Sequence, residues 1–203
     1  FTEEGDFGSS PERKQMGSYA YQNAWLIEGA QRLGQFDLSQ RGMDFITSFW
    51  DPVTGGFYSS YHDRDDETDM EIYVTSGCGR AAIYTNRLDV ARGVGCFLNT
   101  VMKRQPNYPD QLYAVYKRKD GLQTNPETDD MMRFVMSQDS TQDQQFFNPG
   151  IAGGFLVRLY QITGENQWLD LAKEYMYFAE IASDHFIKLP GLRQGKSGWG
   201  AAV

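Results

Sequence analysis

Three stretches of the chain repeat one another, and this restricts the fold more than any other feature of the sequence. They read Asp37-Leu-Ser-Gln-Arg-Gly-Met-Asp-Phe45, Asp89-Val-Ala-Arg-Gly-Val-Gly-Cys-Phe97 and Asp170-Leu-Ala-Lys-Glu-Tyr-Met-Tyr-Phe178. Each sets an acid before an aliphatic residue and a small one, and ends on a phenylalanine eight positions after the acid. Leu38, Phe45 and Ile46 fall on one helical face. Val90, Phe97 and Leu98 repeat that face, as do Leu171, Phe178 and Ala179. An acid in the first turn suits the positive end of the helix dipole. The three stretches therefore predict three amphipathic helices.

Each repeat follows a second helical stretch after a tight turn. The earlier helices are expected over 18–32, 73–84 and 149–161. They are rich in small and aromatic residues and poor in charge, the composition of helices buried nearly all round. Gly34, Asn86 and Gly164 stand where such a helix would end in a left-handed residue. The unit is thus an inner helix, a short turn and an outer helix, and such units bury a core only by stacking on neighbours. The first two units align 52 residues apart, setting Tyr21 against Tyr73 and Glu28 against Arg80. A charge on a buried helix calls for a partner, so Glu28 and Arg80 are expected to pair. A further inner helix is expected over 195–202.

Composition narrows the function. The 203 residues carry 19 Lys and Arg against 27 Asp and Glu, a net charge of −8. Such a chain lacks the positive charge that non-specific nucleic-acid or anionic-membrane binding needs, so neither is expected as a partner. Only Cys78 and Cys96 are present, which excludes a disulfide scaffold; both are expected to be buried small hydrophobes. No apolar run approaches the roughly 20 residues of a bilayer-spanning helix. No signal peptide is visible, which points to the cytoplasm.

The outer-to-inner connections, 50–72 and 105–148, are long, and both carry strand signals. One is Gly55-Gly-Phe-Tyr-Ser-Ser-Tyr-His62; the other is Gln111-Leu-Tyr-Ala-Val-Tyr116 with a turn at Lys119-Asp-Gly121. Long ordered loops usually carry function, and these emerge at the N-termini of the inner helices.

The segment Trp50-Asp-Pro-Val-Thr-Gly-Gly-Phe57, with the turn Leu159-Tyr-Gln-Ile-Thr-Gly-Glu165 and the following Trp168-Leu-Asp170, resembles the (α/α) toroid enzymes. These include the six-hairpin glycosidase-like, N-acylglucosamine 2-epimerase-like and terpenoid-cyclase-like proteins. The resemblance implies an all-α fold, an (α/α) toroid or partial toroid of antiparallel helix hairpins with small β-hairpins in its long loops. It also implies a single domain over 1–203 and an active site in a central funnel at the long-loop end. A full ring takes about six hairpins, so the chain is read as a piece of a longer toroid, an open array, or a ring closed by a second copy. Several family features are missing. His62 and His185 are the only histidines, and neither falls in an expected inner helix. Asp129-Asp-Met-Met-Arg133 only half matches an aspartate-rich diphosphate motif, and neither the Asp-x-Asp-Asp motif of the protonating cyclases nor a prenyltransferase zinc set is present. No cofactor or metal ion is implied.

The densest group of titratable residues is His62-Asp-Arg-Asp-Asp-Glu-Thr-Asp-Met-Glu71. A solvated loop explains most of these acids. His62, Asp69 and Glu71 are singled out as proton donors and acceptors, because the last two lie just before an inner helix at the expected funnel mouth. Tyr21, Tyr73 and Trp199 would line the pocket with Trp25 behind them, and Asn148 and Lys196 would orient a substrate's oxygens. The expectation is an enzyme for non-redox acid/base isomerisation or cyclisation of a small organic substrate. The alternatives are a carbohydrate-active enzyme, either a sugar epimerase or a six-hairpin glycoside hydrolase, and a non-catalytic helical-repeat binding module.

Overall fold

The contrast between apolar and charged helices in the sequence becomes two layers in space. The computed structural model describes residues 1–8, 10–15, 17–125, 131–138 and 144–186. A five-residue helix α1 (Pro11–Gln15) leads into the hairpin α2 (Tyr19–Arg32) and α3 (Phe36–Thr47). The hairpin α4 (Ile72–Tyr84) and α5 (Leu88–Lys103) follows. A short α6 (Met131–Phe134) then precedes α7 (Asn148–Thr163) and α8 (Asn166–Phe186). The three turns use the expected left-handed residues: Gly34 has φ 72°, Asn86 60° and Gly164 70°. Within each hairpin the two helices pack together, and α4 also packs against both α2 and α7.

That central place explains why α4 buries ten of its thirteen residues. Among the described residues helix α2 has an inner neighbour on one side only, Trp25 and Leu26 are exposed, and it is not buried all round as expected. The outer helices turn Ile46, Phe97 and Phe178 fully into the core. Two details differ from expectation. Asp170 lies beyond the first turn, because α8 starts at Asn166 and its first buried anchor is Trp168, packed over Gly95. Cys96 is exposed, because it sits on α5 opposite the stripe that carries Val90, Val94 and Val101.

The long connections carry short antiparallel strands. β1 (Met70–Glu71), β3 (Val115–Lys117) and β4 (Gly121–Leu122) form one sheet in the order β1-β3-β4. β2 (Gln111–Tyr113) pairs with β5 (Val135–Ser137) in another. The strand expected over 111–116 is split at Ala114, whose N–H donates to Phe134 O at 2.8 Å and whose carbonyl accepts Ile72 N–H at 3.0 Å. The 55–62 segment forms only the isolated bridges Trp50–Phe57 and Tyr58–Met70. The Trp50–Phe57 motif is a structural turn: the buried Asp51 carboxylate accepts the Val53 and Thr54 N–H groups and the Thr54 hydroxyl. Gly55, at φ +83°, lies flat against the backbone of Gly93 on α5, where a Cβ would meet Gly93 O at 2.0 Å.

Equivalent positions of the inner helices come to the same level. Steps of 52 residues from α2 to α4 and of 74 from α4 to α7 join Arg32 to Tyr84 and Tyr84 to Arg158. The same steps join Glu28 to Arg80, and Tyr21 to Tyr73 to Phe147. On α2 and α4 the residues Tyr21, Trp25, Glu28 and Arg32, and Tyr73, Gly77, Arg80 and Tyr84, follow the spacing of one helical stripe. The stripe therefore has an aromatic level at the helix N-termini, a buried Arg80–Glu28 ion pair at 2.9 Å in the middle, and an arginine–tyrosine level formed at the C-terminal ends of α2 and α4 and the C-terminal half of α7.

Close packing of α4 depends on its glycines. A Cβ at Gly79 would meet the Phe155 ring at 2.7 Å and Val94 Cγ1 at 2.8 Å. Gly79→Ala should therefore lower stability by about 1–3 kcal/mol through overpacking. Combining it with Phe155→Leu should cost less than the sum of the two single changes, measured by urea unfolding. Additive losses would show that the two residues do not share this contact.

Candidate functional site

A cleft of about 1000 Å³ opens at the N-terminal ends of α2 and α4. The loop 59–71 forms its floor and rim, α1 flanks it, and Lys117 and Arg133 reach in from the second long connection. Its most buried charged group is Glu71, which is 2% exposed. Strand alternation puts it there: Met70 turns into the core, so Asp69 and Glu71 turn toward the cleft. The strand is held by pairing of Met70 with Tyr116 and of Glu71 with Val115.

One guanidinium joins both acids. Arg133 Nη2 lies 2.7 Å from Asp69 Oδ2, and Nη1 lies 3.1 Å from Glu71 Oε1. Lys117 Nζ stands 3.7 Å from Asp69 Oδ1. Burial pushes the Glu71 carboxyl above the usual carboxylate range; the charge and hydrogen bond of Arg133 oppose this without cancelling it. Glu71 Oε2 and Ser59 Oγ are both buried, and among the described residues neither reaches a partner at full hydrogen-bond distance, although the neighbouring Ser59 hydroxyl still favours the charged carboxylate. A buried carboxylate oxygen without a donor is costly unless a ligand or a proton supplies one.

The other expected residues are placed as follows. His62 is exposed on the rim of the same cleft, its ring edge-on to Tyr61 at 5.0 Å, and no hydrogen bond or ion pair joins it to Asp69 or Glu71. Tyr73 lines the cleft, and its ring stands edge-on to Tyr21 at 5.1 Å and to Phe147 at 5.3 Å. Burial, and secondarily the Glu71 charge, push its phenol pKa upward. Tyr21 packs behind it, one ring removed from the cleft, and a Cβ on Gly77 would strike the Tyr21 ring at 2.3 Å. Trp25 lies one turn further along the stripe, at 6.0 Å from Tyr21 and under the Arg80 guanidinium.

Asn148 was expected to orient substrate oxygens but is instead fully buried between helices. Its Oδ1 accepts the Tyr73 N–H at 3.0 Å and its Nδ2 donates to Gln145 O at 2.9 Å. It satisfies a free N–H at the start of α4 and locks α4 to α7. Lys196, Trp199 and the helix expected over 195–202 lie outside the described residues, as do Asp129 and Asp130. Arg133, Ser59 and Lys117 were not among the expected site residues. Arg133 is 62 residues from Glu71, a separation over which no spacing rule signals contact.

No family model matches the chain, and neither does any curated protein or solved structure. Among the described residues no three His, Cys, Asp or Glu side chains converge as metal ligands, and no helix is long and apolar enough to cross a membrane.

Because the Glu71 carboxyl is raised in the folded chain, its ionisation opposes folding, and stability is lost as pH rises through the folded value. Glu71→Gln removes that loss. The stability of the variant relative to the parent should therefore increase as pH rises above the ordinary carboxyl value of 4.5, followed by urea unfolding. A relative stability that falls with pH would mean that the carboxyl is depressed.

Proposed function

We propose that the chain is an enzyme that carries out non-redox acid/base chemistry, an isomerisation or cyclisation, on a small organic substrate in this cleft. One observation carries the reading: Glu71 is buried at the cleft wall and holds Arg133 through Oε1, while among the described residues Oε2 has only the Ser59 hydroxyl beside it and no donor at full hydrogen-bond distance. A carboxyl raised by burial works closer to neutral pH as a proton donor or acceptor than an ordinary one. Glu71 is assigned that role through Oε2. Asp69 positions Arg133, which steadies the charge that Glu71 carries after giving up its proton. His62, on the rim, is the second proton-carrying group, and Tyr73 forms part of the wall.

The row of hairpins is proposed as an arc of an (α/α) toroid, with the striped faces of α2, α4 and α7 turned toward its axis. The levels shared by equivalent residues support this, because a common axis brings each repeat to the same height. Closure of the ring would require further hairpins or a second copy.

A carbohydrate substrate is the second reading. The cleft wall offers the hydroxyls of Ser18, Ser59, Ser60 and Thr68 beside Tyr61 and Tyr73, a mixture suited to a polyhydroxylated ring. Within that reading the epimerase form is favoured over hydrolysis. Asp69 and Glu71, two residues apart at the start of β1, share one guanidinium, whereas two-carboxylate hydrolysis sets its acids on either side of the scissile bond.

Proton transfer at carbon leaves an isotopic record. Incubation in D2O with reducing sugars, their N-acetyl derivatives and unsaturated alcohols should show deuterium entering one of these probes by proton NMR. Glu71→Gln should slow the exchange by roughly 10²–10⁴-fold, with the melting transition retained. Equal exchange rates in the parent and Glu71→Gln would remove Glu71 from the chemistry.

A further inference from the structure

The C-terminal level of the inner stripe lies away from the cleft and has a charge pattern of its own. Arg32 Nη2 on α2 and Arg158 Nη1 on α7 both donate to the Tyr84 hydroxyl oxygen on α4, at 3.2 and 3.1 Å. Their two nitrogens thus lie within about 6 Å of each other, a repulsive arrangement for like charges. Among the described residues neither arginine makes an ion pair, and the nearby Glu28 carboxylate is bonded to Arg80. Among the described residues Arg80 Nε is itself buried without a hydrogen-bond partner. One acid thus faces three guanidinium groups from three adjacent helices, in a chain whose net charge is −8.

Hydrogen-bond capacity sharpens the point. A phenol oxygen that accepts two N–H groups has used both lone pairs, so its own O–H must donate outward. Arg32 and Arg158 keep further N–H groups in their forks. The level therefore offers donors from three side chains, and among the described residues the acid whose charge reaches both arginines is Glu28, already bonded to Arg80. Attraction of cations to helix C-terminal carbonyls accounts for Arg32, the last residue of α2. It does not account for Arg158, which stands more than a turn before the end of α7.

We infer that Arg32, Tyr84 and Arg158 form a binding site for an oxyanion, the carboxylate or phosphate group of a small ligand. The anion would sit between the two guanidinium groups, relieve their repulsion and accept the Tyr84 O–H. The site is independent of the Glu71 cleft and stands whether or not the chain is an enzyme.

The test uses the full chain, titrated separately with inorganic phosphate and with acetate at constant ionic strength. The arginine Nε–Hε signals of Arg32 and Arg158 are followed by NMR, and the melting temperature is followed in parallel. At least one probe should shift both signals saturably and raise the melting temperature. Arg32→Gln and Arg158→Gln should each weaken binding roughly tenfold or more, as expected for loss of a charge-assisted hydrogen bond. Tyr84→Phe should weaken it less, and Lys103→Gln, at the end of α5, should leave it unchanged. Tighter phosphate binding would assign a phosphorylated ligand, and tighter acetate binding a carboxylate. Absence of saturation with both probes would overturn the site, as would unchanged affinity in Arg32→Gln. If Arg158→Gln fails to fold, the exposed Arg32 carries the test alone.

Discussion

The structure depends on the close approach of α4 to its two inner neighbours. Gly77 and Gly79 let the rings of Tyr21 and Phe155 press against its backbone from opposite hairpins. Without a Cβ at those two positions, α4 serves as the shared wall of two interfaces and becomes the most buried of the inner helices. Dispersion and apolar burial at such contacts outweigh the conformational cost of glycine in a helix, about 1 kcal/mol per residue relative to alanine. Once α4 is held between α2 and α7, equivalent residues of the repeats come to common levels. The ring contacts, the Arg80–Glu28 pair and the arginine–tyrosine level all follow from that alignment.

The cleft is built in a different way. The helices contribute the N-terminal ends of α2 and α4, the flank at α1 and Arg133 on α6. Its charged wall comes from two connections far apart in sequence, brought together by pairing of β1 with β3. That pairing helps withdraw Glu71 from water and brings Lys117 beside Asp69, while Arg133 arrives on α6, held next to the sheet through the Phe134–Ala114 hydrogen bond and the pairing of β5 with β2. Burial and pairing then act in opposite senses on the Glu71 carboxyl, and burial prevails because Arg133 divides its hydrogen bonds between two acids. Asn148 links the two systems: one amide side chain caps the start of α4, next to the cleft, and fastens it to α7.

The helix hairpins were legible because their signals are local. Alternation of apolar and charged faces, and a glycine or asparagine at each helix end, act over a few residues. The ion pair of Glu28 with Arg80 was legible for a related reason, since repeat alignment turns a long separation into a short one. The strand break at Ala114 was hidden, because it reflects hydrogen bonds to Ile72 and Phe134, both distant in sequence. The role of Asn148 was misread for the same reason: its position at a helix start suggested access to a ligand, whereas the neighbouring α4 claims its amide. The Trp50–Phe57 motif, one of the two segments behind the family resemblance, forms a turn that seats the first long connection against α5.

The amino-acid sequence alone therefore determined the repeating unit, its turn chemistry and the end of the array at which acids gather. Periodicity and backbone preference are properties of short segments, and they survive without knowledge of the whole. Tertiary structure alone decided which of those acids is buried, which cation holds it, and that two arginines meet on one tyrosine. Those outcomes depend on desolvation and on distances of a few ångströms between residues 52 to 74 positions apart, and only the packed chain sets them.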